Sequence, residues 1–423
     1  LETAGTARDP IQTARIAALV EEFGLIGGTA DGGVTRRAFS DEDVIAREKA
    51  LAIMQAELGL SVRIDAWGNI FGRRPGRRPE LPVLLTGSHL DSVPNGGRFD
   101  GPAGVFCGLE AIRALTLLGI QTDHGLEVAV FTAEEPNAFG LSTIGSQGIT
   151  GGLSRNDLVG RKDEHGTRLA DALRCIGGDP DHLESARLKP GRVEAFLEVH
   201  IEQMPHLESA AKDIGIVEGI TGIHRLGIEI TGRADHAGTT PMDRRRDALA
   251  AAAEVITAVR RLAAAAGDRA VATVGRIHVE PNTVNVVPAY VELDVEVRSY
   301  HPEETQVIVA GLKRKCAGIE STAHVKIDIE DPTYYTEPLR FSDRLCQTVT
   351  EACRRLNYPA MPSISMAGHD AYHLARVADT SMIFVPCKEG VSHHPAEWTD
   401  PEALAKAARV LALTWLLLDR GRS

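Results

Sequence analysis

The chain has 423 residues, 43% of them hydrophobic and 25% charged, which is typical of a globular protein with two or three domains and excludes a disordered chain. Its 46 basic and 58 acidic residues give a net charge of −12 without a long lysine/arginine block, so we expect no nucleic-acid partner. No run approaches the ~18 apolar residues of a membrane-spanning helix, and we expect no membrane partner.

The first half of the chain predicts an α/β domain. A helical pattern over residues 9–58 indicates scaffold, and short β-rich runs with a hairpin turn at 67–69 follow it. Apolar runs at 83–85, 128–131 and 196–199 then alternate with helical patterns, as expected for buried parallel strands.

The strand at 83–85 leads into a loop that carries His89, Asp91 and Asp100. One histidine and two carboxylates, with no thiolate, suit a divalent ion such as zinc or manganese. The same spacing is common in surface loops that bind no metal, so this loop alone leaves both interpretations open. Further polar groups follow other predicted strands, namely Glu134/Glu135, His200, Gly368/His369/Asp370 and His393/His394.

These five strand ends are expected to meet. In open α/β sheets, ligands collect at the carboxyl ends of the strands, which lie along one edge of the sheet. Random placement of 15 histidines would rarely put four of them just after apolar strands. Together the strand ends favour a metal site over histidines that are satisfied separately in the core and in loops.

The pattern changes near Gly215. Strand, helix, strand, strand, helix and strand follow one another over roughly 115 residues, which is the order of a ferredoxin-like domain. The α/β pattern resumes after Thr333. We therefore predict a metal-binding α/β domain, 1–216 with 333–423, that is interrupted by an inserted domain, 217–332.

Six cysteines are scattered along the chain without a C-x-x-C spacing. This distribution fits reduced, mostly buried thiols better than a disulfide framework or a thiolate zinc site. The expected location is therefore the cytoplasm.

Eight segments carry a family resemblance. They are GSHLDSVPNGGRFDGPAG, FTAEEPNAFG, EVHIEQ, GRADHAGTTPMDRRRDAL, PNTVNVVP, EVRS, AGHDA and GVSHHPAEW. In this order they resemble the dinuclear metal-dependent amidohydrolases that include N-carbamoyl-L-amino acid hydrolases, allantoate amidohydrolases and β-ureidopropionases, in the zinc aminopeptidase/carboxypeptidase superfamily. The resemblance implies an α/β, zinc-exopeptidase-like catalytic domain, whose mixed central sheet is flanked by helices, and an inserted α+β ferredoxin-like lid/dimerisation domain.

The resemblance also implies two divalent metal ions per subunit. Zinc is expected first, and manganese, nickel or cobalt are alternatives because nitrogen and carboxylate donors accept each of them. The implied ligands are His89, Asp100, Glu135, His200 and His393. Asp100 would bridge the two ions, His394 is the alternative to His393, and the Asp91 carboxylate would hold the ring of His89.

Further roles follow from the same resemblance. Glu134 would be the general base that takes a proton from water and passes it to the leaving nitrogen; a salt-bridge role is the alternative. His236 would help to hold the oxyanion, and Gln203 would contact the ureido or amide group. The substrate carboxylate would be held, in part from the neighbouring subunit of a dimer, by Asn285, Arg298, Ala367 and Gly368. For Arg298, a surface charge at a strand end is the alternative.

The implied activity is hydrolysis of the carbamoyl C–N bond of an N-carbamoyl-L-amino acid, giving the amino acid, carbon dioxide and ammonia. The expected partners are a small substrate with a carboxylate and a ureido or amide group, and a second copy of the chain in a homodimer. Pro136, Met204, His206 and Met366 depart from the family pattern and leave the side-chain preference open. Alternatives are allantoate amidohydrolase, β-ureidopropionase, a dipeptidase or aminoacylase, and a non-catalytic binding protein on the same scaffold.

Overall fold

The computed structural model describes residues 9–420, which divide into two compact units. The first unit contains the described residues up to Glu218, then Phe341–Ser363, and those from His369 onward. The second contains Gly219–Arg340 and Ile364–Gly368. The assignment of 1–216 with 333–423 to catalysis and of 217–332 to a lid stays a prediction, and its residues 1–8 and 421–423 lie outside the described range.

Strands and helices alternate through both units. The strands are β1 Ser61–Ile64, β2 Ile70–Arg74, β3 Val83–His89, β4 Leu126–Phe131, β5 Val193–Ile201, β6 Ile214–Ile220, β7 Gly222–Thr231, β8 Asp235–His236, β9 Ala270–Glu280, β10 Val286–Val287, β11 Tyr290–Ser299, β12 Lys326–Thr336, β13 Leu339–Arg340, β14 Ala360–Ser365 and β15 Asp379–Val385. The α-helices are α1 Thr13–Gly24, α2 Asp41–Ala52, α3 Pro102–Leu117, α4 Ile144–Thr150, α5 Arg155–Leu158, α6 Leu169–Cys175, α7 His206–Ser209, α8 Ala248–Ala265, α9 Pro302–Ala323, α10 Asp343–Leu356, α11 Asp370–Leu374 and α12 Pro401–Arg420.

The first unit is built on a mixed sheet with the order β1-β2-β4-β3-β5-β15-β6. Its centre is parallel, because β3 pairs in parallel with β4 and β5, and β15 pairs in parallel with β5. Every residue of β3 and β4 is buried, as expected for strands covered on both faces. Two groups of helices contact the sheet, α3 with α10 and α12, and α4 with α11. The predicted α/β fold with a mixed sheet flanked by helices is therefore confirmed.

The predicted hairpin turn lies between β1 and β2, which pair antiparallel. The Asp65 carboxylate accepts hydrogen bonds from the main-chain N–H groups of Trp67 and Asn69 and from the Asn69 side chain. Gly68 has φ +81°, a left-handed conformation that glycine adopts without strain. One aspartate and one glycine thus account for the turn.

The second unit contains an antiparallel sheet with the order β12-β7-β11-β9. Along the chain its elements run β7, α8, β9, β11, α9 and β12, which is the order that the sequence predicts. Both helices pack on this sheet, and β11 alternates between buried and half-buried residues as a strand with one covered face does. A separate two-stranded pair joins β8 to β10.

The fold also bears on the expectations about membranes and thiols. No helix within residues 9–420 is both long and apolar enough to cross a membrane. All six cysteines are free, and Cys175 is exposed while the other five are buried.

Candidate functional site

Asp100 presents its two carboxylate oxygens to two different groups of donors. Oδ1 lies 3.5 Å from His89 Nε2 and 3.2 Å from His200 Nε2. Oδ2 lies 3.4 Å from His393 Nε2, and that nitrogen is 3.3 Å from Glu135 Oε1. Two clusters of potential metal ligands therefore share one carboxylate, and within each cluster the ligand atoms lie within 4.8 Å of one another.

The sheet explains why these side chains meet. His89 ends β3, and in the parallel register it lies beside Phe131 at the end of β4. His200 lies near the end of β5, beside Phe384 of β15. The loops after β4 and β15 then supply Glu135 and His393. The structure thus brings the predicted ligands to the carboxyl edge of the sheet.

The histidines of the first cluster fit a divalent metal ion. His200 Nδ1 lies 3.0 Å from the Ile201 carbonyl, and His89 Nδ1 lies 2.9 Å from the Asp91 carbonyl. A carbonyl only accepts, so in both rings Nδ1 carries a proton, and in the neutral form of each ring Nε2 then offers a lone pair. His200 Nε2 is buried without a hydrogen bond and faces Asp100. Such a nitrogen has the environment of a metal ligand.

Gly101 leaves room for the His89 ring. A Cβ at Gly101 would lie 2.4 Å from the ring, and its φ of +82° disfavours other residues. Pro102 follows in the first turn of α3, where a missing N–H is tolerated. The three residues Asp100, Gly101 and Pro102 therefore bring the Asp100 carboxylate next to the His89 ring and begin helix α3.

Asp91 acts differently from the expectation. Its carboxylate lies 3.8 Å from His89 Nδ1, and the main-chain carbonyl of Asp91 holds that ring instead. The carboxylate accepts the N–H groups of Glu134 and Glu135, at 3.2 and 3.0 Å. The reason is local, because the chain turns directly after β3 and the two amides after β4 lack strand partners. Asp91 thus connects the His89 ring with the loop that carries both glutamates.

Glu134 is buried, and its Oε2 lies 3.8 Å from His89 Nε2. Burial raises the pKa of the Glu134 carboxyl well above its ordinary value, against the opposing effect of His89. The negative charges of Glu135, Asp370 and Asp91 raise the pKa further. A carboxylate with a raised pKa takes up a proton more readily than an ordinary glutamate does.

His393, rather than His394, supplies the nitrogen of the second cluster. His393 has φ +56°, and its ring faces Asp100 and Glu135. The neighbouring His394 uses Nδ1 to accept the Ala396 N–H at 3.1 Å.

Gln203 contacts the shared carboxylate. Its Nε2 donates to Asp100 Oδ2 at 2.6 Å and lies 3.3 Å from Ser392 Oγ. The residue has φ +58°, which turns the chain directly after β5. Its expected contact with the substrate stays a prediction.

Two polar residues beside the clusters, Ser392 and Glu397, were not predicted from the sequence, whereas His369 was among the polar groups expected at the strand ends. Ser392 Oγ donates to Asp100 Oδ2 at 2.7 Å, and the buried Glu397 accepts the Asp100 N–H at 3.0 Å. The His369 ring lies 4.5 Å from the His200 ring, and burial lowers the pKa of His369 well below its usual range. Ser392 and Glu397 lie in the segment GVSHHPAEW, so the signal was present without a role attached to it.

The remaining predicted residues belong to the second unit. His236 is exposed on β8, and its Nδ1 accepts the Gly238 N–H at 3.0 Å. Asn285 directly precedes β10, and its carbonyl accepts the Ala237 N–H at 3.0 Å. Because His236 pairs with Val286 across these two strands, the structure brings the predicted oxyanion and carboxylate residues side by side.

Arg298 is held by two contacts inside the second unit. Its Nε donates to Glu296 Oε1 at 2.7 Å, and Nη1 donates to the Met366 carbonyl at 2.8 Å. Met366 precedes Ala367 and Gly368, the other predicted carboxylate-binding residues. The arginine is thus fixed beside the segment with which it is expected to act.

Comparisons with known proteins extend this geometry. The model of "Peptidase family M20/M25/M40" matches residues 85–416. N-carbamoyl-L-amino acid amidohydrolase of Geobacillus stearothermophilus is 40% identical over 411 residues, 97% of this chain and 100% of that relative. Ureidoglycolate hydrolase of Arabidopsis thaliana is 35% identical over 402 residues, 93% of this chain and 84% of that relative.

A solved structure gives the same result. The crystal structure of an amidase of the hydantoinase/carbamoylase family from Burkholderia multivorans matches with a TM-score of 0.89 and 38% identity, over 97% of this chain and 98% of that one. The family is dinuclear and metal-dependent, so the paired clusters fit two divalent ions. The chain therefore belongs to peptidase family M20/M25/M40, as an amidohydrolase that acts on C–N bonds other than peptide bonds.

Proposed function

We propose that this amidohydrolase removes the carbamoyl group of N-carbamoyl-L-amino acids and releases the amino acid, carbon dioxide and ammonia. The observation that carries the hydrolytic chemistry is the division of the two Asp100 oxygens between two ligand clusters, beside the buried Glu134. The carbamoyl substrate is supported by the name of the Geobacillus relative, which aligns with almost the whole chain.

Five residues would hold the metal ions, with zinc expected first and manganese, nickel or cobalt as alternatives. His89 and His200 would hold one ion, Glu135 and His393 the other, and Asp100 both. When bound, the ions lower the pKa of a water molecule and polarise the substrate carbonyl.

Glu134 would move the proton. Its carboxylate would take a proton from the attacking water and deliver it to the nitrogen that leaves, and the raised pKa makes it a stronger base than an ordinary glutamate. Asp91 positions this group, since its carboxylate binds the N–H groups of Glu134 and Glu135. His236 would stabilise the oxyanion as negative charge develops on the ureido oxygen.

The substrate would be oriented by its carboxylate and its ureido group. Arg298 suits a carboxylate because its planar guanidinium forms two parallel hydrogen bonds, and Glu296 and the Met366 carbonyl hold it in place. Asn285, Ala367 and Gly368 would complete this contact, and Gln203 would bind the ureido group. We further propose a cytoplasmic homodimer in which 217–332 is the lid and dimerisation domain.

The test is a substrate panel on purified protein reconstituted separately with zinc, manganese, nickel or cobalt. Ammonia release is measured from N-carbamoyl-L-amino acids, N-carbamoyl-β-alanine, allantoate and ureidoglycolate, and amine release from dipeptides and N-acyl amino acids. We expect the highest kcat/KM with an N-carbamoyl-L-amino acid. A higher value for another compound would reject the proposed substrate and retain the C–N hydrolase.

Glu134→Gln is the matched variant for this panel. Loss of a general base lowers kcat by about 10²–10⁴-fold, while the variant should retain its metal ions because the five ligands are unchanged. Native turnover by Glu134→Gln would reject the proposed role of this residue.

A further inference from the structure

Glu397 connects the two loops that carry Asp100 and His393. Its side chain is buried at 4% exposure. Oε1 accepts the main-chain N–H groups of Phe99, at 2.9 Å, and Asp100, at 3.0 Å. Oε2 lies 3.1 Å from the hydroxyl of Ser392, which precedes His393.

The space for this carboxylate is provided by Gly97. A Cβ at Gly97 would lie 2.0 Å from both the carboxyl carbon and Oε1 of Glu397. The three atoms nearest to that Cβ all belong to the end of the Glu397 side chain, so a larger residue at 97 would displace the carboxylate. The GGRFDG and SHHPAEW segments are therefore complementary parts of one arrangement.

Ser392 extends the connection to the Asp100 side chain. The Ser392 hydroxyl donates to Asp100 Oδ2 at 2.7 Å. The same Ser392 Oγ atom lies 3.1 Å from Glu397 Oε2. Glu397 thus contacts the main chain of Asp100 directly, and it contacts the Asp100 carboxylate through the hydroxyl of Ser392. Two N–H bonds to one oxygen fix the orientation of the main chain from which the Asp100 side chain projects.

We propose that Glu397 is the positioning residue of the shared carboxylate. It holds Asp100 so that Oδ1 faces His89 and His200 while Oδ2 faces the second cluster. The inference rests on the proposed metal centre and goes beyond it, because Glu397 is not a ligand. Partners that orient metal ligands in this way commonly contribute about 10–100-fold to metal affinity.

The test measures metal affinity of the purified metal-free protein by competition with a chromophoric chelator, using Zn²⁺ and Mn²⁺. We expect Glu397→Ala to weaken binding by about 10–100-fold. Glu397→Gln should stay within about threefold of the wild type, because its Oε1 still accepts both N–H groups and its amide can donate to Ser392. Glu110→Ala is the matched control, since Glu110 is equally buried and accepts the Gln12 N–H at 2.6 Å, outside both clusters.

Gly97→Ala provides an independent approach, because it displaces the carboxylate without changing Glu397 itself. As a single substitution, Gly97→Ala should weaken metal binding. In the Glu397→Ala background it should cause no further loss of metal affinity, since the carboxylate that it displaces is already absent. Far-UV circular dichroism establishes whether each variant is folded. If Glu397→Ala does not fold, the test uses the two single variants Glu397→Gln and Gly97→Ala.

Three results would overturn the inference. In the first, folded Glu397→Ala binds both ions as tightly as the wild type. In the second, Gly97→Ala lowers metal affinity by the same factor in the Glu397→Ala background as in the wild type. If the wild type itself fails to bind two ions, the metal centre is rejected and this inference with it, whereas the first two results leave the metal centre intact.

Discussion

We expect His373 to make the first unit sensitive to acid. It lies in α11, and its Nε2 is 2.9 Å from the hydroxyl of Thr143. Burial lowers the pKa of His373 to about 3, and the positive charge of Arg376 contributes. Thr143 in turn donates its N–H to the Glu134 carbonyl at 2.8 Å, so His373 supports the loop that carries the proposed general base.

The pKa shift determines the sign and size of the effect. The folded-state pKa is depressed from 6.5, so the stability contributed by neutral His373 is complete above pH 6.5 and is lost as the pH falls toward 3. Relative to pH 8, the loss from this group is about 1.4 kcal/mol at pH 5.5 and about 2.7 kcal/mol at pH 4.5.

His373→Gln isolates this contribution, because glutamine can bond Thr143 but does not titrate. Urea unfolding is followed by tryptophan fluorescence, which reports on the correct unit since Trp67, Trp398 and Trp415 all lie in the first one. The free energy of unfolding of the variant relative to wild type should rise by about 1.4 kcal/mol between pH 8 and pH 5.5. A difference that stays constant with pH would refute the assignment of a depressed pKa to His373.

Three further outcomes are expected. Arg298→Lys loses a bidentate hydrogen bond to the substrate carboxylate and should raise KM by roughly 10–100-fold, with a smaller change in kcat, in steady-state assays. For a substrate whose carboxylate is replaced by an amide, KM should be the same for the variant and the wild type. Gly101→Ala should destabilise the protein in urea and weaken metal binding, because its Cβ would lie 2.4 Å from the His89 ring; Gly119→Ala, with φ +62° and no atom within 4 Å, is the control for strain alone. Dialysis against a chelator should abolish activity and added divalent ion should restore it, and full activity of protein shown by elemental analysis to be metal-free would contradict the metal centre.

Much of this architecture could be predicted because it depends on residue pattern. Fully apolar runs such as 128–131 occur where both faces of a strand are covered, and parallel strands end at one edge. The convergence of His89, His200 and His393 therefore follows from three strand assignments. The order of elements in the second unit follows in the same way from the alternation of strand and helix periodicity.

What could not be predicted is which atom of a residue is used. Spacing indicates that Asp91 lies near His89, but whether its carbonyl or carboxylate holds the ring depends on how the chain turns after β3. Gln203 and Glu397 reach Asp100 across loops that are far apart in sequence, and no local pattern encodes such a contact. The assignment of Ile364–Gly368 to the second unit is likewise a property of the folded chain.

The position of β15 has a consequence for how the protein is made. This strand is the last of the sheet to be synthesised, yet it lies between β5 and β6. Until Asp379–Val385 leaves the ribosome, on the order of ten seconds or more after β6, both neighbours expose unpaired edges that invite aggregation. We therefore expect the first unit to complete its folding after translation, and we expect chains that end before Asp379 to accumulate as insoluble protein rather than as a truncated enzyme.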